Sequence, residues 1–392
     1  MTRKTIIIIG DSFTFPNGNA ATNRVYTYAR GFNESGVKAH IVCFRNDYLE
    51  SHGGEVDGIT YYSPFHQTTR SPYFLARRWH NILKYYNTLR IIKEIKRDHD
   101  IMAIIAYSVR MSTFMYAWLL SLIFRTNLLL ERSEHPLKEI KSRIAFMAGY
   151  IKAFIEAILS NGIICISDYL RKFYRSVGAR ERKLLIVPST VDFTRFEGSF
   201  VSPFDFRYIC YCGSLTYTKD GVHILLESFS KITDKHPDIR LVLIGKADTR
   251  EDEQSLREIA TRLGIDQKTR FTGILSRDHI PRYLCNAEVL VLSRPRSIVA
   301  DAGFPSKVTE YLSTGKPVVV TRVGEIPVFL TDNINAFLAE PDDIDDFAAR
   351  MDHVLSNYPS SLQVGLKGRE LVTSTFNYRY QSKRIIEFLQ KI

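Results

Sequence analysis

Residues 303–319 read GFPSKVTEYLSTGKPVV. Gly303-Phe304-Pro305 makes a turn, 306–313 has the composition of a short helix, and Gly315 stops that helix before the apolar run 317–321. A loop that opens a helix, then a glycine stop, then a buried strand is the repeating piece of a β-α-β chain, whose strands pair in parallel.

The same alternation extends in both directions. Strands are predicted at 207–213, 239–244, 269–272 and 289–292, with helices at 220–231, 252–263 and 279–285 between them and at 347–356 and 380–390 beyond. An earlier series has strands at 5–9, 38–44, 59–63, 101–107, 128–131, 162–167 and 184–188. Its helices are at 22–34, 79–96, 111–124, 137–159 and 168–177. Between the series, near 187–203, Pro188, Pro203 and the polar run 192–195 interrupt the order. The expected fold is α/β: two doubly wound Rossmann-like domains, 1–200 and 201–375, and a helix in 376–392 packing back on the first. The carboxyl ends of both strand sets are expected around a central cleft, the default ligand site.

Bulk composition agrees with two packed domains. The chain has 392 residues, 45% hydrophobic and 12% aromatic, which excludes a disordered basic protein. Its net charge of +11 is uneven: residues 1–200 hold 28 Lys+Arg against 17 Asp+Glu, and residues 201–392 hold 25 of each. Five cysteines, an odd number widely spaced, read as buried reduced thiols. Cys210-x-Cys212 has no second pair, so no zinc site is expected. The apolar run 5–9 is too short for a signal peptide. The apolar run 111–124 is closed by Arg110 and Arg125, and 144–166 is broken by Lys152 and Glu156, so no segment is expected to span a bilayer. A cytoplasmic protein is expected.

Four stretches carry candidate chemistry. At 303–319, the free N–H groups of the helix start at Ser306 and the adjacent Lys307 favour an anion. Glu310, one turn inside, presents a carboxylate able to take two hydroxyl hydrogen bonds, as from a ribose. In YCGSLTYTKDG, 211–221, Gly213 ends a strand and permits close approach of a diphosphate, and Lys219 supplies a point charge. In FPNGNAA, 15–21, Gly18 can approach a ligand, and Asn17 and Asn19 are cap or hydrogen-bond candidates. ERSEHP, 131–136, ends another strand at the same face. The acidic run 342–346 reads as helix capping, so no metal site is expected.

The stretch 303–319 resembles the nucleotide-sugar signature of family 4 retaining glycosyltransferases, which have two Rossmann domains in the GT-B architecture. That signature is a Glu, seven residues and a second Glu, followed by a helix and a Gly-Lys-Pro-Val-Val strand. The second Glu falls on Glu310, and the resemblance implies that it holds the donor ribose. The first falls on Ala302, where this chain departs from the pattern. Asp301 and the backbone of Gly303, Phe304, Pro305 and Ser306 are then the remaining donor-sugar candidates. The family's Arg after the Gly213-type glycine is replaced by Ser214, while Lys219 is kept, so Lys307 is expected to supply the second charge at the leaving diphosphate.

The same resemblance places Glu134 and His135 near the sugar, Asn17, Gly18 and Asn19 near the donor phosphate or acceptor, and Ile274 and Leu275 near the base. It implies a retaining hexosyltransferase moving sugar from a UDP- or GDP-sugar to a lipid-linked or saccharide acceptor in cell-surface polysaccharide assembly. No essential cofactor or metal is implied. A nucleotide-sugar epimerase is one alternative. A non-catalytic nucleotide-binding partner subunit is another, motivated by Ala302 and Ser214.

The excess charge clusters at Arg70, Arg77, Arg78, Lys84, Arg90, Lys93, Lys96 and Arg97, interleaved with Tyr73, Phe74, Trp79, Tyr85 and Tyr86. A second cluster sets Lys138, Lys141, Arg143 and Lys152 among Ile144, Phe146, Met147, Tyr150 and Phe154. Such patterns suit an anionic membrane surface, here the inner face of the cell membrane, or simply solvated helix faces. No nucleic-acid motif is present, and no nucleic-acid partner is expected.

Overall fold

The structure is a computed structural model of the chain, described over residues 3–48, 51–137 and 142–392. It divides into two compact units, Met1–Thr190 with Tyr378–Ile392, and Val191–Asn377.

The first unit contains strands β1 (Arg3–Gly10), β2 (Lys38–Cys43), β3 (Gly53–Val56), β4 (Ile59–Tyr62), β5 (His99–Tyr107), β6 (Asn127–Arg132), β7 (Gly162–Cys165) and β8 (Leu184–Ile186). They form one sheet in the order β3-β4-β2-β1-β5-β6-β7-β8. Every pair is parallel except the β3–β4 hairpin. β1 is central, and Ile6, Ile7, Ile8 and Ile9 are all buried, as a strand covered on both faces requires. Each such side chain contributes roughly 1.5–3 kcal/mol. The helix Tyr378–Leu389 lies against the helix Ala20–Glu34. Tyr378 Oη and Arg379 Nε donate to the Glu34 carboxylate at 2.8 and 2.6 Å. Gly31 permits the approach, since a Cβ there would sit 2.2 Å from Ser382 Oγ.

The second unit contains β9 (Arg207–Cys212), β10 (Ile239–Ile244), β11 (Thr269–Gly273), β12 (Val289–Leu292), β13 (Val318–Thr321) and β14 (Phe337–Ala339). The order is β11-β10-β9-β12-β13-β14, and all pairs are parallel. Each unit has its own apolar core.

Among the elements that escaped the sequence pattern are two strands and a long helix. β3 is a short, mostly exposed edge strand, and β14 has only three residues. The helix Tyr358–Thr373 has its apolar periodicity broken by Gly365 and Gly368. Gly365 is small because the chain at Gly315 crosses there: a Cβ would lie 2.5 Å from Gly315 O. The helix predicted over 137–159 begins at Arg143, where the Ser142 hydroxyl accepts from Ala145 N and caps it. Lys138 and Lys141 lie outside the described residues. Among the described residues, no helix is long and apolar enough to cross a membrane.

Candidate active site

Each sheet has one place where the chain order reverses. In the second unit it lies between β9 and β12, and ligands of doubly wound sheets bind beyond the carboxyl ends of such strands. The loops that leave those two strands are 213–221 and 293–297. The segment 303–310 reaches the same point.

Three glycines set the edge. Gly213 N donates to Ile244 O, and Gly245 N to Gly273 O, both at 2.9 Å. Gly245 sits at φ +133°, and a Cβ there would be 1.8 Å from Gly213 O. Only glycine fits so close a backbone crossing. The helix Ser306–Ser313 is tied to the loop by Tyr311, whose hydroxyl accepts from Cys212 N at 2.7 Å.

Lys307 occupies the space that Gly213 leaves open. A Cβ on Gly213 would be 2.3 Å from Lys307 Nζ. The ammonium donates to Asp220 Oδ2 at 2.5 Å and to Tyr211 Oη at 3.1 Å. Burial pulls the Lys307 ammonium below its usual range, against the attraction of Asp220. Burial likewise opposes the Asp220 charge, but Lys307, Arg294 and the Tyr211 hydroxyl outweigh it and hold the carboxyl below the usual range. The pair is therefore charged. Arg294, itself buried, acts on both partners. Two cations and one carboxylate leave one positive charge in excess beneath the helix start. Lys219 and Ser214, in the same loop, are exposed.

Glu310 faces a different set. Its carboxylate is 3.5 Å from Arg195, which also donates to Arg277 O at 2.6 Å. Burial raises the Glu310 carboxyl above its usual range, although Arg195, Arg277 and Lys307 all pull the other way. A partly exposed carboxylate, with two oxygens and several lone pairs, can accept from hydroxyl donors.

The other second-unit candidates fall less uniformly. The Phe304 side chain turns inward and stacks with Phe376 at 5.1 Å and against Phe329 at 5.5 Å, so only its backbone remains for a ligand. Pro305 and Gly303 are buried, and Pro305 is the N-cap position of the helix that Ser306 begins. Ala302 is buried at the C-cap of the short helix Ile298–Asp301. Leu275 packs on the core and Ile274 is exposed.

In the first unit the chain order reverses between β1 and β5. Beyond β1, the Asp11 carboxylate accepts from Ser108 Oγ at 2.6 Å and from Thr113 Oγ1 at 2.9 Å. Asn17, Gly18 and Asn19 are exposed in the next turn, and Asn19 caps the following helix by accepting from Ala21 N. Gly18 is needed there: a Cβ would meet Thr22 Oγ1 at 2.1 Å. In ERSEHP the chain sends Glu131 and Arg132 inward. Glu131 accepts from Arg24 Nε at 2.7 Å and from Ser133 Oγ at 2.8 Å. Arg132 pairs with Glu156 at 2.5 Å and donates to Tyr174 Oη and Ser108 O. Glu134 is exposed. His135 is buried against Tyr169 and Phe173, with Nδ1 accepting from Leu137 N, and burial lowers its pKa. It is held as a neutral imidazole with the proton on Nε2.

Arg195, Arg277, Asp220 and Arg294 escaped the sequence reading. Arg195 is 115 positions from Glu310, and Asp220 is 87 from Lys307.

Residues 192–371 match the family model described as glycosyl transferases group 1, and this span nearly coincides with the second unit. An uncharacterized glycosyltransferase of Methanocaldococcus jannaschii, MJ1607, is 30% identical over 39% of this chain and 37% of its own length. A GDP-mannose-dependent alpha-(1-6)-phosphatidylinositol monomannoside mannosyltransferase of Mycobacterium tuberculosis is 23% identical over 57% of this chain and 60% of its own. The chain thus spans about 37% to 60% of the length of these curated relatives. Among solved structures, Anabaena Alr3699/HepE in complex with UDP and glucose superposes with a TM-score of 0.70 at 16% identity, covering 99% of this chain and 100% of that one. The fold of the chain is that of this two-domain α/β class.

Proposed function

We propose that the chain is a glycosyltransferase that moves a sugar from a nucleotide diphosphate donor to an acceptor. The observation that carries this is the second unit's reversal point. There the Gly213 turn, the start of the Ser306–Ser313 helix and the net positive Lys307–Asp220–Arg294 cluster converge, with Glu310 one helical turn away. A diphosphate needs positive charge and free N–H groups, and a ribose needs a carboxylate a few ångströms off. The match of residues 192–371 to glycosyl transferases group 1 supports it, and so does the fold shared with a protein solved with UDP and glucose.

In this account Lys219 is the exposed cation that meets the leaving diphosphate. Lys307 acts differently: fixed by Asp220, it holds the Gly213 loop and contributes to the local field. Charge developing on the leaving group is stabilised by these preset positive groups, usually the largest single catalytic effect. Glu310, with Arg195 behind it, orients the nucleoside. Glu134 and His135 belong to the acceptor-side unit. The step forms a new glycosidic bond at the anomeric carbon and breaks the bond to the diphosphate, with retention of configuration.

The acceptor we propose is lipid-linked, and the chain works at an anionic membrane surface on the cytoplasmic side. The helix Arg143–Leu159 supports this: Ile144 is 83% and Met147 65% exposed, and every described residue from 142 to 148 is exposed. Leu119, Leu122 and Ile123 of the helix Met111–Phe124 are exposed as well. So much exposed apolar surface on two helices of one unit suits an interface. A second function remains in view, a nucleotide-binding partner subunit without turnover. It is favoured by buried Ala302, where the signature has a carboxylate. The test is donor turnover by the purified chain with labelled UDP- and GDP-sugars. Transfer that is lost in Glu310→Ala supports the enzyme, while nucleotide binding without any turnover selects the partner subunit.

A further inference from the structure

A cavity of about 330 Å³ opens in the first unit, beyond the carboxyl ends of β2 and β4. That is the low end of small-molecule sites. Arg70, Arg77 and Arg78 line it, together with Asn46, Asn81 and Phe65, and among the described residues no carboxylate lines it. Lys84 lies beside it, buried, donating to Asn46 Oδ1 at 2.8 Å and seated 4.3 Å over the Phe44 ring. Burial brings its ammonium down to about 8. Asn46 in turn donates to Asn81 Oδ1 at 2.9 Å, so this wall is fixed by hydrogen bonds. Arg77 donates to the Ser71 and Pro72 carbonyls and holds the rim. Arg70 and Arg78 are exposed at the mouth.

Three arginines along one small cavity, two of them exposed at its mouth, favour an anion there, and planar guanidiniums suit phosphate oxygens. The same helix, Phe74–Asp98, exposes Leu75, Trp79, Ile82 and Tyr86 next to the cavity. A cationic cavity with an exposed apolar stripe at its lip has the form of a site for an amphiphilic phosphate.

We propose that this cavity binds the phosphate of the acceptor, with the acceptor's apolar chain lying along Leu75, Trp79 and Ile82. It rests on the lipid-linked acceptor proposed above and is independent of the donor site. The test is equilibrium binding to the full chain of three probes: farnesyl monophosphate, farnesol and inorganic phosphate. The expected result is that farnesyl monophosphate binds at least tenfold more tightly than either other probe. The double variant Arg70→Gln/Arg78→Gln should lose at least tenfold for it, while Lys93→Gln/Arg97→Gln, an equal charge loss farther along the helix, should not. Three results would overturn the proposal. One is equal binding by wild type and the cavity variant. A second is equal loss in both double variants, which means only general electrostatics. A third is inorganic phosphate binding as tightly as the farnesyl ester, which means a free-phosphate site. Because binding needs no turnover, a failed transfer assay leaves this result readable.

Discussion

Single residues at the proposed donor site combine stability and function in opposite ways. Glu310 is held above its usual carboxyl range by burial. A raised acid favours the fold while protonated and weakens it once ionised. The cost appears as pH rises above the ordinary Glu range, near 4.3, and is fully present above the raised value. Glu310→Gln should therefore raise Tm at pH 7, with the gain fading toward pH 4, while donor affinity falls; a lower Tm at pH 7 would show that the Arg195 pair outweighs burial. Lys307 works the other way. Removing it strands buried Asp220, so Lys307→Met should cost about 3–5 kcal/mol by denaturant melting. Adding Asp220→Asn should recover most of that without recovering donor binding. Lys219 is exposed, so Lys219→Ala should stay within about 0.5 kcal/mol of wild type in stability. Its turnover should nonetheless fall by about 10²-fold. Lys307 and Glu310 were legible in the sequence because a helix start is a local pattern. Asp220 and Arg195 were not, because the fold alone brings them in from 87 and 115 positions away.

Elements explain which candidates face a ligand. The Gly213, Gly245 and Gly273 strand ends form one backbone ledge, and Gly245 leaves no room for a side chain. Gly245→Ala should push Gly213 out of place, lowering Tm and abolishing the nucleotide response together; a variant that melts like wild type and binds nucleotide would show the ledge is dispensable. The strand–glycine alternation in the sequence predicted most of these ends. It could not say that Phe304 turns into the core with Phe329 and Phe376, since a turn residue's side chain is directed by tertiary packing. In ERSEHP, Glu131 and Arg132 are neutralised inside by Arg24 and Glu156, an ion pairing between distant segments, and Glu134 stays exposed. Lys84 was grouped with surface cations. Its ammonium sits over the Phe44 ring and donates to Asn46 Oδ1, and the residue is buried.

At the scale of the molecule, the +11 charge belongs to residues 1–200, and the candidate nucleotide-site motifs belong to the neutral half. The two α/β units were legible because parallel strands are long apolar runs, while edge strand β3 and short β14 lack that signal. Exposed Trp79, Ile144 and Met147 place apolar surface on the basic unit. Trp79→Ser/Ile144→Ser/Met147→Ser should weaken sedimentation with phosphatidylglycerol vesicles by at least tenfold and leave nucleotide binding intact; unchanged sedimentation would return these helices to plain solvated faces. The central claim, sugar transfer from a nucleotide diphosphate donor, is tested most directly by incubating the purified chain with radiolabelled UDP- and GDP-sugars and a polyprenyl phosphate acceptor extract. The account predicts nucleoside diphosphate release matched by label in the acceptor, lost in Glu310→Ala and reduced in Lys219→Ala. Conversion of the donor to an isomeric nucleotide sugar without acceptor, or donor left unchanged throughout, would contradict it.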